Sequence, residues 1–267
     1  MIIDADRRRF QALRDLRLGF RNWYLWSSLG WHDIRARYRR AVLGPLWLTA
    51  SLGLMTLAIG VVFGGLFNRD VATYLPYVAT GLVIWHLISN SISDAANVFI
   101  YNADLARNLN LPLSVHVIRA IWRNLIIFGH NALVVVALAP FTQFGFNANS
   151  WLALPGFVLL VLNIVWASFF LAIVSTRFRD IPPLILNLLS LIFLLTPVIW
   201  DAQLLPLRLE FVAWNPLFAL IDIVRAPLLG QVPQASSWII AWLGVVLGFP
   251  AAIALYMRTH WRIAYWL

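Results

Sequence analysis

The stretch from Arg35 to Phe67 decides the fold. Arg35-Ala36-Arg37-Tyr38-Arg39-Arg40 is followed, from Pro45 onward, by the uncharged run PLWLTASLGLMTLAIGVVFGGLF. At 1.5 Å per helical residue a run of this length covers a hydrocarbon core about 30 Å thick. Arginines beside such a run are held on the cytoplasmic side during insertion, so the stretch predicts an oriented transmembrane helix.

Working outward, ten of the twenty basic residues fall between Arg7 and Arg40. The remainder of the 267-residue chain is mostly apolar: 61% of residues are hydrophobic and 12% charged, too little polar surface to cover a water-soluble globule. The net charge of +9 sits beside hydrophobic spans and not on a polar domain, which excludes nucleic acid as the partner. With no cysteine there is no disulfide or thiolate metal site. The long basic N-terminus before a span-length run predicts an uncleaved first helix in place of a signal peptide.

Six runs reach spanning length, at about 45–67, 74–99, 116–140, 151–175, 182–200 and 237–257. They lack the alternation of barrel strands, so the expected fold is an all-α membrane protein with a single transmembrane domain over 1–267. Turn signals separate the runs: Asn68-Arg69-Asp70, Asn147-Ala148-Asn149 and Asp180-Ile181-Pro182-Pro183. With the N-terminus inside, seventeen arginines face the cytoplasm and only Arg69, Arg208 and Arg225 lie outside. The reverse orientation would translocate those seventeen, at about 2.5–3.5 kcal/mol each at a helix centre. Both termini are therefore expected in the cytoplasm.

Two segments stand apart from the six runs. Residues 10–40 place Leu13, Leu16, Phe20, Trp23, Ser27, Trp31 and Ile34 at steps of three or four, apolar but for Ser27, the pattern of an amphipathic interfacial helix. Residues 201–236 are broken by Pro206, Pro216, Pro227 and Pro233 into pieces too short to span. Such pieces can dip into a membrane where protein shields their backbone.

The chain carries no catalytic signature. His32, His86, His116, His130 and His260 show no three- or four-residue pairing, and no HEXXH or GxSxG occurs. His86 and His130 read as satisfied interior polar groups. Without lysine there is no P-loop, so any uphill work comes from another polypeptide or an ion gradient. Asp94, near the inner end of the second run, is expected to pair with Arg119 or Arg123 at the start of the third. The loop Tyr101-Asn102-Ala103-Asp104-Leu105-Ala106-Arg107-Asn108-Leu109-Asn110-Leu111-Pro112 suggests a short helix outside the bilayer, a handle for a soluble motor. Among the aromatics, Tyr74, Tyr77, Trp200 and Trp214 lie near the outer end, where their rings suit either the membrane boundary or the C–H faces of sugars.

The stretch Arg37-Tyr38-Arg39-Arg40-Ala41-Val42-Leu43-Gly44-Pro45-Leu46-Trp47-Leu48 resembles the approach to the first span in type-2 ABC exporter permeases, in particular the O-antigen and cell-surface polysaccharide branch. Asn110-Leu111-Pro112-Leu113, Arg177-Phe178-Arg179-Asp180-Ile181, Thr196-Pro197-Val198-Ile199-Trp200 and Asn215-Pro216-Leu217 follow in the same order. The resemblance implies a homodimer in the bacterial inner membrane with two copies of a separate ATPase. ATP and magnesium bind there, and this chain holds no cofactor of its own. The implied cargo is a polyprenyl-pyrophosphate-linked polysaccharide. Arg37, Arg39 and Arg40 match the basic motif and are the candidates for receiving the headgroup, or for enforcing topology alone. Tyr101, Asp104, Arg107 and Asn108 fall in the coupling helix, residues 10–40 in the interface helix, and 201–236 in the periplasmic gate helices. Thr49 to Gly53 lacks the Glu-Pro step of related capsule exporters, which points away from a group-2 capsule polymer. Another cargo (teichoic acid, a lipid or a drug) and a membrane enzyme or flippase acting on polyprenyl-linked sugars remain as alternatives.

Overall fold

A computed structural model describes residues 2–39, 44, 46–104, 111–142, 147–201, 212 and 214–267. Among these residues all regular structure is helical: α1 (Ile2–Arg21), α2 (Trp23–Tyr38), α3 (Leu46–Leu66), α4 (Val71–Tyr101), α5 (Leu113–Leu138), α6 (Ala153–Arg177), α7 (Ile181–Leu195), α8 (Pro216–Leu228) and α9 (Ala235–Trp266). Five of these elements are long and apolar enough to cross a membrane: α3, α4, α5, α6 and α9, with short 3-10 turns extending α5 to Phe141 and preceding α6 from Ala148. This is a multi-pass membrane protein.

The expected fifth run, 182–200, forms a helix only over Ile181–Leu195. Fifteen residues rise about 22 Å, short of the hydrocarbon core. Its N-terminus is set by Pro182 and Pro183 in the first turn, and it stops at Thr196 because Pro197 cannot continue a helix. The expected single helix over 10–40 is two, broken at Asn22, whose φ of −83° and ψ of 52° leave the helical region for one residue.

The turns form where the sequence places them. Asn68 adopts φ of +52°, a left-handed conformation that asparagine tolerates, and Asp70 caps α4 by accepting from the Ala72 N–H. Asn215 caps α8 by accepting from Leu217 and Phe218 N–H, with Pro216 at the first helical position.

α4 is the central helix, packed against α3, α5, α6, α7 and α8; α9 closes the other side against α6, α8 and α1. α8 is short yet enclosed, every residue from Phe218 to Pro227 being buried. That answers the requirement on a Pro-broken, non-spanning segment, since its backbone is shielded by protein. Its crossing with α6 is close because Gly156 has no Cβ; one added there would collide with the Ile223 carbonyl. By contrast α3, α7 and α9 present uncovered apolar faces, including Leu54, Val61 and Val62; Leu184, Leu191 and Leu195; and Ile239, Val246 and Leu247. These faces meet lipid or another chain.

Candidate functional site

At the basic end, two acidic residues of the N-terminal helices fasten the spans. Asp15 of α1 accepts from the Leu113 and Ser114 N–H groups at 2.8 and 3.1 Å, serving as the helix cap that Pro112 cannot provide for α5. It also accepts from the Tyr256 hydroxyl of α9 at 2.6 Å and lies 3.5 Å from His260 Nε2. Burial pushes the Asp15 carboxyl up, yet hydrogen bonds from His260, Tyr256 and Ser114 outweigh it and hold the group below its ordinary 3.8.

Asp33 of α2 makes the second fastening. It takes a two-pronged contact from the Arg119 guanidinium, with Nε at 2.7 Å, and a further one from Arg123 at 3.2 Å. Arg123 then reaches Asp94 of α4 at 2.7 Å, and Asn124 Nδ2 donates to the same carboxylate oxygen at 3.0 Å. The expected partner of Asp94 is thus Arg123, while Arg119 serves Asp33. One charge-alternating chain joins α2, α5 and α4.

Above that chain, α4 presents one incompletely buried polar face. His86, Ser89, Asn90, Ser93, Asp94 and Asn97 step around the helix by three or four, while most neighbouring positions are buried and apolar. Two cavities open on it. The first, about 360 Å³, lies between α3, α4 and α5, with Arg37 at its edge, Ser51 and Met55 from α3, and Asn124 and Asn131 from α5. The second, about 450 Å³, shares Met55, His86, Asn90 and Ser93 and continues toward Leu189, Ser190 and Phe193 of α7. Among the described residues the side chains of Arg37, Ser51, His86, Asn90 and Ser93 make no hydrogen bond or ion pair. His130, expected to be satisfied inside, does meet the Ile126 carbonyl at 2.9 Å; His86 has no such partner.

The opposite end is latched. The Tyr74 hydroxyl donates to the Ile199 carbonyl, and Tyr77 donates to Pro197 and Trp200 carbonyls at 3.2 and 2.9 Å. Buried Arg225 of α8 lies 4.0 Å over the Tyr77 ring and donates to the Pro197 carbonyl at 2.8 Å, and Asn215 donates to Thr196 Oγ1 at 3.0 Å. Thr196–Trp200 is held from α4 on one side and α8 on the other.

The sequence-derived candidates separate in space. Arg37 borders the polar cavity, whereas Arg39 lines a different crevice with Trp31, His32, Arg35 and His130; Arg40 lies outside the described residues. Tyr101, at 80% exposure, and exposed Asp104 project past the end of α4, and Arg107 and Asn108 lie outside the described residues. Most of 202–213 likewise lies outside them. Tyr74, Tyr77 and Trp200 converge in the latch, while Trp214 stands apart at 72% exposure. Sequence reading passed over Asp15, Asp33 and the α4 polar face. The last carried a usable signal, since residues 86, 90, 93 and 97 recur at helical spacing.

Residues 24–229, from α2 through α8, match the family described as ABC-2 type transporter. The chain belongs to this family. The matched region contains the charge chain, the polar face and the latch, and leaves α1 and α9 outside. An ABC-2 membrane component works with a separate ATPase, which agrees with the missing P-loop. Among characterised relatives, this ABC-2 transporter is similar to the O-antigen export system permease protein RfbA of Myxococcus xanthus, 26% identical over 208 residues covering 74% of this chain and 78% of that protein. Two proteins of the same name from Klebsiella pneumoniae are 23% and 24% identical over 197 residues, covering 71% of this chain and 74% of theirs. The resemblance drawn from the Arg37–Leu48 stretch and the Thr196–Trp200 turn is therefore borne out at the level of family.

Proposed function

We propose that this chain is the membrane subunit of an ATP-driven exporter that moves a polyprenyl-pyrophosphate-linked polysaccharide, O-antigen-like, across the bacterial inner membrane. Two copies pair around the pathway, each with one ATPase subunit that binds ATP and magnesium, and this chain performs no covalent chemistry. Both termini lie in the cytoplasm, α7 with the turn after it completes the sixth crossing, and α8 belongs to the outer gate. The observation that carries the reading is the polar face of α4. An isolated lipid-facing helix would pay several kcal/mol for unpaired polar groups in hydrocarbon, so a stripe of them on the most enclosed span suits a hydrated pathway. The names of the relatives supply the cargo class.

ATP-driven closure of the partner would reach the pathway through Tyr101 and Asp104 at the base of α4, with Arg107 and Asn108 in the sequence that follows, and through α2, whose Asp33 is tied to Asp94 by Arg123. Trp200 and Trp214 offer rings to sugar at the outer end, while Tyr74 and Tyr77 support the turn beneath them. Deleting the chain tests the reading. Lipid-linked polymer should accumulate inside while surface polymer disappears, with restoration only when the ATPase is co-expressed. Undiminished surface polymer in the deletion strain would overturn it.

A further inference from the structure

We infer that the cavity between α3, α4 and α5 is a binding subsite for a single sugar unit, with Arg37 at its edge contacting the phosphate that precedes that sugar. The assignment rests on the export reading above and specifies where the first carbohydrate residue of the cargo is held.

The chemistry of the lining selects the ligand class. A metal or organic cation needs concentrated negative charge, yet Asp94 is the one acid in the wall, and one of its oxygens already takes Arg123 and Asn124. A bare anion would meet Arg37 but also the Asp94 carboxylate. A polyhydroxylated neutral group suits the rest. Serine hydroxyls at 51 and 93 and the amides of Asn90, Asn124 and Asn131 each donate and accept, as sugar hydroxyls do. Asn131 is only 5% exposed, and its amide oxygen has no donor among the described residues. Such an acceptor costs free energy until a donor arrives. Leu52, Met55 and Ile127 supply apolar wall for the C–H face of a pyranose.

Size and position agree with this. About 360 Å³ lies within the range of small-molecule sites. The cavity continues through shared Met55, His86, Asn90 and Ser93 into the second one of about 450 Å³, so a further unit of a chain has somewhere to go. Arg37 makes no ion pair among the described residues and is free to fork onto phosphate oxygens.

The test uses the purified complex of this chain with its ATPase and two probes: farnesyl diphosphate, and farnesyl diphosphate bearing one glucose or N-acetylglucosamine on its terminal phosphate. The wild-type complex should bind a sugar-bearing probe at least 10-fold more tightly than the bare diphosphate. Asn90→Ala and Ser93→Ala should each remove about 3- to 10-fold of that advantage, a hydrogen bond's worth. Arg37→Gln should weaken both probes alike. Equal affinity for both probes in the wild type, which needs no variant to fold, overturns the subsite and leaves the export reading standing. Discrimination retained in both alanine variants also overturns it. Binding of neither probe overturns both readings.

Discussion

The Tyr256 hydroxyl donates to Asp15 across 241 residues of chain, joining the first helix to the last. Both helices lie outside the region that carries the family match, so each anchors the other against the shared bundle. Because Asp15 also caps α5, a single carboxylate fixes three elements at the basic end. Removing the phenol in Tyr256→Phe should cost about 1.5–3 kcal/mol, the value of a hydrogen bond to a charged acceptor. Thermal unfolding of the detergent-purified protein reads this directly.

The same carboxylate makes the protein acid-sensitive in a defined direction. Asp15 is held below 3.8 when folded, so its stabilisation is complete above that value and drains away as pH falls through the lower folded one. Asp15→Asn should lower stability near neutrality and flatten the loss that sets in as pH falls below 3.8. An unchanged acid limb in the variant would show that other carboxylates govern it.

Arg123 lies between Asp33 and Asp94, and the three side chains are 18–31% exposed. A double-mutant cycle between Asp94→Asn and Arg123→Gln should return a coupling of about 0.5–3 kcal/mol, whereas Asp94→Asn with Arg119→Gln should be close to additive. The contrast checks the wiring, since Arg119 and Arg123 are one helical turn apart and equally eligible in the sequence.

That ambiguity marks the boundary of what the chain discloses before folding. Spans α3, α4, α5, α6 and α9 were legible because a bilayer demands long apolar runs, and Asp94 stood out as an acid inside one of them. Helix α7 was read too long because hydropathy carries through Thr196–Trp200, while the backbone obeys Pro197. In the sequence Asp15 is one more charge on a basic amphipathic helix. Its partners at 113, 114, 256 and 260 come near only through tertiary packing, which no local pattern encodes. The α4 stripe was spaced for recognition but diluted by the leucines, isoleucines and valines around it.

Gly81 faces the latch. A Cβ at this position would stand 2.6 Å from the Val198 carbonyl oxygen, a backbone atom that cannot swing aside, whereas one at Gly65 would meet nothing within 4 Å. Gly81→Ala should destabilise by about 1–3 kcal/mol through overpacking. Gly65→Ala should be neutral or slightly stabilising, because alanine favours a helix over glycine. Equal melting temperatures for the two variants would mean that the turn yields and the latch is soft.

Tyr101 and Asp104 offer a separation of stability from coupling. Tyr101 is 80% exposed and Asp104 is exposed, so neither contributes to the core. Tyr101→Ala with Asp104→Ala should leave thermal unfolding within about 0.5 kcal/mol of wild type, as surface changes do. If these residues transmit work from the ATPase, the same double variant should lower export and loosen co-purification of the ATPase while leaving folded permease in the membrane at wild-type level. Unaltered export would move the coupling surface to α2, whose Asp33 reaches the polar face of α4 through Arg123.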